Sequence, residues 1–327
     1  MRNIESKPGR ESVISKVLGA TPEEEQEILE KFRNDFEHPD LAQKLHIIEK
    51  EKTPEEIEII ESINAHMGEF LKEYGGQPIK ITPEKIIFLD ENKLTNELLE
   101  KYSFGKDPTA ITYPIKQLIV VIPPYPENYP KVKLDIARIL VHEALHFNSF
   151  ASVSRQKGKL ESRQMGIAIE FPKQRFLEDL NEAIIEKMAM KFAERYFSQI
   201  SPLEKDMRKR EQAINEFPED MQENAREIIS SIFTKQLPSG EYKIMIKAHT
   251  IYEKERMGLK YILDTIHSKN PTEFSSPEDV FKIFASATLS GDLPSIARLI
   301  EQNLGKGSFK KVAQVFSKPH IKPSETQ

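Results

Sequence analysis

The sequence predicts an α+β fold: a small sheet with its helices over residues 51–200, then a mostly α-helical portion over 201–327. Three observations carry this expectation. Four segments open with helix-start chemistry, a hydroxyl residue followed by proline and acids. Short β-branched runs bounded by Pro, Asp or Asn cluster between residues 85 and 171. Beyond Ser201 the apolar spacing is almost wholly helical.

Taken in order, residues 1–50 form a helical, polar N-terminal extension with one helix start at Thr21-Pro22-Glu23-Glu24. Thr53-Pro54-Glu55-Glu56 repeats that start, with hydroxyl cap, proline at the first helical position and glutamate at the third. Lys85 to Leu89 (KIIFL), Gln117 to Ile122 (QLIVVI) and Met165 to Phe171 (MGIAIEF) read as strands. Prolines 123, 124, 126 and 130 mark an irregular loop, and a helix containing LDIARILVHEALHFNSF begins near Lys131 or Val132. Helical spacing returns at Glu178 to Tyr196, then at 202–215, 219–236, 241–267, 277–288 and 293–304, with starts at Ser201 and Ser276 and a stop at Gly305.

The 327 residues are 38% hydrophobic and carry a net charge of −5, a balance that argues against a nucleic-acid binder. The basic cluster from Lys205 to Arg210 alternates with acids and reads as a solvated helix face. With no cysteine present, disulfides and thiolate metal sites are excluded, so a metal here must be held by His, Asp or Glu. The N-terminal stretch has no apolar core of signal-peptide length, and Leu118 to Ile122 is too short to span a bilayer. Cytoplasmic residence without membrane contact is the expectation. LGKGSF, residues 304–309, lacks the spacing of a phosphate-binding loop.

Within ILVHEALHFN, His142, Glu143 and His146 spell H-E-x-x-H. Side chains four apart stand on one helical face, so both imidazoles can bind one ion, and neutral imidazole suits zinc. Glu143 projects beside that face, where it can take a proton from a water whose pKa the metal lowers toward roughly 7. Two helical histidines also occur in ordinary helices. Here Ile139, Leu140, Val141, Ala144 and Leu145 make the helix apolar nearly all round, and buried polar groups in such a helix are costly unless paired or metal-bound. Zn2+ is therefore the expected cofactor.

A third ligand is needed, and no third histidine follows in the continuation FNSFASVSRQ. Downstream comes Asp179-Leu180-Asn181-Glu182-Ala183-Ile184-Ile185-Glu186 on an expected helix. With H-E-x-x-H, this stretch resembles the gluzincin metallopeptidases, the thermolysin-like enzymes and their aminopeptidase relatives, whose second helix carries N-E-x-x-x-[DE]. The resemblance implies a zincin-like catalytic core that hydrolyses peptides or proteins. It implies Glu182 as third ligand, with Glu186 and Asn181 standing behind the ligands and Glu186 orienting His142. Glu178 and Glu186 are alternative ligands. It further implies a downstream Tyr or His that stabilises the oxyanion, and KAHTIYEKER offers Tyr252 and His249. Two departures stand out: the segment from His146 to Glu182 is longer than in compact members, so 147–176 forms an inserted loop or hairpin, and position 186 is Glu where thermolysin-like enzymes have Asp.

QLIVVI is a candidate edge strand for pairing with substrate, with a central strand as the alternative. Arg163 either meets a substrate carboxylate or is an exposed loop charge. The competing functional reading is a non-catalytic interaction protein with a structural or vestigial zinc. A deformylase-like hydrolase is disfavoured by the missing cysteine. For a peptidase, the first 50 residues or the helical half would restrict access to the cleft.

Overall fold

A computed structural model describes residues 13–34, 45–95, 110–113, 115, 117–122, 133–156, 159–171, 174–236, 240–248 and 252–319. The fold is α+β, with many helices around small mixed sheets. Strand β1 (Lys16–Leu18) leads into helix α1 (Pro22–Asn34), and helix α2 spans Pro54–Lys72. Both helices begin as the sequence indicates. The Thr53 hydroxyl accepts from Glu56 N at 3.2 Å while the Glu56 carboxylate accepts from Thr53 N at 2.8 Å. Thr21 and Glu24 exchange the same two bonds at 3.3 and 2.9 Å. Each box satisfies two orphan backbone donors, and its hydroxyl cap contributes about 1 kcal/mol.

The first sheet is β2 (Ile86–Phe88), β3 (Ala110–Tyr113) and β4 (Leu118–Val121) in the order β2-β4-β3. Strand β4 pairs parallel to β2 and antiparallel to β3, so QLIVVI is the central strand and not an edge. All four β4 residues are buried, which explains a run without polar alternation. The prolines at 123–130 lie outside the described residues, and helix α3 is described from Lys133 to Asn148.

The segment after α3 is a meander of β5 (Ala151–Gln156), β6 (Lys159–Met165), β7 (Ala168–Phe171) and β8 (Gln174–Phe176), joined in antiparallel register. MGIAIEF is therefore not one strand: Met165 ends β6, and Gly166 turns the chain at φ 58°. A Cβ on Gly166 would overlap the Asn181 side-chain oxygen, which accepts Ile167 N at 3.1 Å. Gly166→Ala is expected to cost about 3 kcal/mol, from left-handed strain plus displacement of Asn181. Gly19→Ala, also at positive φ but with open space around it, should cost about 1 kcal/mol. Denaturant midpoints of the two variants check this difference.

Helices α4 (Glu178–Tyr196), α5 (Ser201–Asn215) and α6 (Glu219–Ile228) follow. Ser201 lies inside α5, with Ile200 at the cap position and no side-chain cap bond. The expected helices over 219–236 and 241–267 are each part strand. The chain leaves α6 for β9 (Ile229–Gln236), which pairs antiparallel with β10 (Tyr242–Ala248), and helix α7 runs only over Glu253–Lys269. The signal was present as period-two alternation: Tyr242, Ile244 and Ile246 interleave with Lys243, Met245 and Lys247. Helices α8 (Pro277–Ser290), α9 (Leu293–Leu304) and α10 (Ser308–Val315) complete the helical part, with Gly305 at φ 96° just past α9. Strand β11 (Lys318–Pro319) then pairs with β8, so the larger sheet runs β1-β5-β6-β7-β8-β11.

One large core joins these parts. Ile60, Met67 and Phe70 of α2, Leu140 and Leu145 of α3, Ile184 and Phe192 of α4, Ile262 of α7 and Phe281 and Phe284 of α8 belong to one buried cluster. Apolar side chains from both sides of residue 200 thus share a single interior. Among the described residues no helix is long and apolar enough to cross a membrane.

Candidate metal centre

Helix α3 is apolar on most of its circumference, with Leu134, Ala137, Val141, Leu145 and Phe147 buried. It lies between the β3–β4 sheet and α4. On its α4-facing side Arg138, His142 and His146 follow one another at intervals of four, the spacing that stacks side chains on one face. Helix α4 answers with Glu182 and Glu186 at the same interval. Packing α3 on α4 therefore brings imidazoles against carboxylates.

The three expected ligands converge. His142 Nε2 and His146 Nε2 are 3.1 Å apart, and each is 3.3 Å from Glu182 Oε2. A tetrahedral ion with bonds of about 2.0–2.1 Å separates its ligand atoms by roughly 3.3 Å, so this triangle has the size of one tetrahedral face. The residues are buried, at 8%, 5% and 7% exposure for His142, His146 and Glu182. His142 Nδ1 faces Glu186 Oε2 at 2.8 Å, which fixes that proton on Nδ1 and turns the Nε2 lone pair inward. His146 Nδ1 is buried without a hydrogen-bond partner among the described residues. Inward lone pairs and a carboxylate oxygen this close repel one another unless positive charge sits between them.

The protonation balance reports the same demand. Burial opposes a charge on His142, yet Glu182 and Glu186 hold its imidazole well above the usual histidine range. Burial opposes ionisation of Glu182, yet His146 and His142 hold its carboxyl well below the usual range. The centre stabilises a cation, and the donor set of two imidazole nitrogens and one carboxylate oxygen fits a divalent metal ion.

Glu143, also buried, points toward the first sheet. Thr112 Oγ1 on β3 donates to its Oε2 at 2.6 Å and lies 3.2 Å from its carbonyl oxygen. Tyr252 arrives from the far side. It precedes α7 in the left-handed region, at φ 52°. Its ring lies parallel to His142, with centroids 5.7 Å apart and planes 11° from parallel. Burial, then the charge of Glu182 and a hydrogen bond to it, push the phenol far above its ordinary pKa, so the hydroxyl stays a donor. Lys318 Nζ sits 5.7 Å over the same ring and 2.7 Å from Asp179.

Other expected positions stand elsewhere. Asn181 does not stand behind a ligand: its side-chain oxygen is spent on the Gly166–Ile167 turn. Glu178, an alternative ligand, faces Arg175 at 3.2 Å, and burial raises its pKa. Glu186, the other alternative, lies behind His142 and not in the triangle. Arg163 bonds Ser154 on β5 and Glu161 on its own strand. His249 lies outside the described residues, as do His38 and His320. His66 stacks on Tyr196, and His46 pairs with Glu49.

Sequence reasoning passed over three neighbours: Thr112, Arg138 and Lys318. Only Arg138 had a local signal, since it continues the four-residue stripe of the histidines. Compared with known protein families, with curated proteins and with solved structures, the chain matches none.

Proposed function

We propose that this protein is a zinc-dependent metallopeptidase with a zincin-like catalytic core, hydrolysing peptide bonds in a peptide or protein substrate. The observation that carries the reading is the triangle of His142, His146 and Glu182, with Glu143 next to His142 on the helix that bears both histidines. Imidazole with carboxylate is a donor set suited to zinc, and three protein ligands leave a further position open for chemistry. When bound, such an ion supplies Lewis acidity, acidifying water and polarising a carbonyl.

The chain's own groups do the rest. Glu143, held by the Thr112 hydroxyl, takes the proton from the attacking water and delivers it to the departing amine. Glu186 keeps the Nδ1 proton of His142 in place. Tyr252, a neutral donor at this pKa, gives its hydroxyl hydrogen to the oxyanion that develops on the substrate. Since QLIVVI is central, the strand-edge role falls to β3, an outer strand of that sheet among the described residues and the one that carries Thr112.

Tyr252→Phe is expected to keep metal content and lower kcat on the order of tenfold to a hundredfold with little change in KM, because the lost hydrogen bond forms in the transition state. Equal kcat in both proteins would remove Tyr252 from the mechanism. The reading itself is tested by metal analysis and by hydrolysis of an unstructured protein. About one zinc per chain is expected, with activity lost to a chelator and restored by zinc. A second reading, a structural ion in an interaction protein, draws on the burial of all four site residues. It predicts bound metal and no hydrolysis of any peptide in a broad library.

A further inference from the structure

We infer that Arg138 is a positioning residue of the metal centre, gripping the Glu186 carboxylate so that it holds the His142 ring at the angle metal binding needs. The inference rests on the metal-centre reading and not on peptide hydrolysis. Between α3 and α4 the charged groups form a ladder of alternating sign. From His146 it passes to Glu182 at 3.3 Å, to His142 at 3.3 Å, to Glu186 at 2.8 Å and to Arg138 at 3.3 Å. The metal triangle occupies one end of this ladder and the guanidinium the other.

The two oxygens of Glu186 are divided between these partners: Oε2 faces His142 Nδ1 and Oε1 faces Arg138 Nη2. A carboxylate held from one side can rotate about its last bond and carry the imidazole with it. Held from both sides it cannot, and the ring it bonds is fixed. The site is dry enough for this to matter, with the Arg138 and Glu186 side chains only 14% and 6% exposed. A guanidinium suits the task because it is planar and permanently charged, whereas an ammonium is a mobile point charge. Arg256 also lies within the field of Glu186, so removing Arg138 does not leave that carboxylate without a nearby cation. The variant is therefore expected to fold.

The test is a double-mutant cycle on the full chain, read as zinc dissociation constant by competition with a chromophoric chelator, and as zinc release rate. Thermal unfolding of each metal-free protein is recorded alongside. Glu186→Gln should weaken zinc binding by about 10–100-fold, the usual effect of losing a partner behind a histidine ligand. Arg138→Met should weaken it by roughly tenfold, Arg138→Lys by less, and the double variant no more than Glu186→Gln alone. Effects that multiply in the double variant would show that Arg138 acts independently of Glu186 and overturn the inference. So would an Arg138→Met protein of lower metal-free stability but unchanged zinc affinity, the mark of a merely structural arginine. Wild-type protein that binds no zinc overturns both the inference and the metal centre. Zinc binding with this coupling but without peptide hydrolysis sinks only the peptidase proposal.

Discussion

Glu143→Gln is expected to abolish peptide hydrolysis while leaving about one zinc per chain in place. Glutamine matches glutamate in shape, and its side-chain oxygen can still accept the Thr112 hydroxyl bond seen at 2.6 Å. The three ligand atoms belong to other residues, so metal affinity should change little. Glutamine cannot take up a proton, however, and loss of a positioned general base costs on the order of 10²–10⁴-fold in rate. The measurement is kcat on an unstructured protein, together with metal content and melting temperature. Hydrolysis at the wild-type rate would exclude Glu143 as the base, and unchanged biological activity alongside absent hydrolysis in both proteins would favour the structural-ion reading.

Glu182→Ala is expected to destroy zinc binding and the stability that zinc confers. Apparent zinc affinities of about 10–16 kcal/mol shared by three side chains put one ligand near 4 kcal/mol, or about three orders of magnitude in dissociation constant. In the wild-type protein, free zinc at 100 times its dissociation constant should add about 2.7 kcal/mol of stability and raise the melting temperature. The variant should melt at the same temperature with or without zinc. In metal-free protein the substitution also removes the carboxylate that faces both histidines, so His142 keeps only Glu186 as its acidic neighbour in the ladder. A zinc-dependent rise in melting temperature that survives in Glu182→Ala would show that another group completes the site.

The helical arithmetic of α3 made the two histidines and Glu143 readable, because an i, i+4 pair shares a face in any α-helix. Glu182 and Glu186 were reached by resemblance to a known pattern, and the packing of α3 on α4 places one inside the triangle and the other behind His142. Asn181 was misplaced because adjacent helical residues point in different directions, and its side-chain oxygen accepts Ile167 N. Thr112 was invisible: it lies 31 residues before Glu143, on a strand that owes its position to the antiparallel register with β4. Lys318 was equally hidden, since it reaches Tyr252 only because β11 closes onto β8.

What the sequence determined by itself was local: helix starts at Thr21 and Thr53, the strand character of QLIVVI, the stop at Gly305 and the chemistry of one helical face. These follow from interactions that span a few residues and therefore survive in any context. The tertiary structure decided the rest. It put β4 in the centre of its sheet, broke two long helical patterns into a β9–β10 hairpin with flanking helices, and closed α4 on α3. The hairpin left a period-two trace between Tyr242 and Lys247, but the central place of β4 and the α3–α4 contact depend on burial against partners far along the chain, and the free energy of that burial outweighs local propensity.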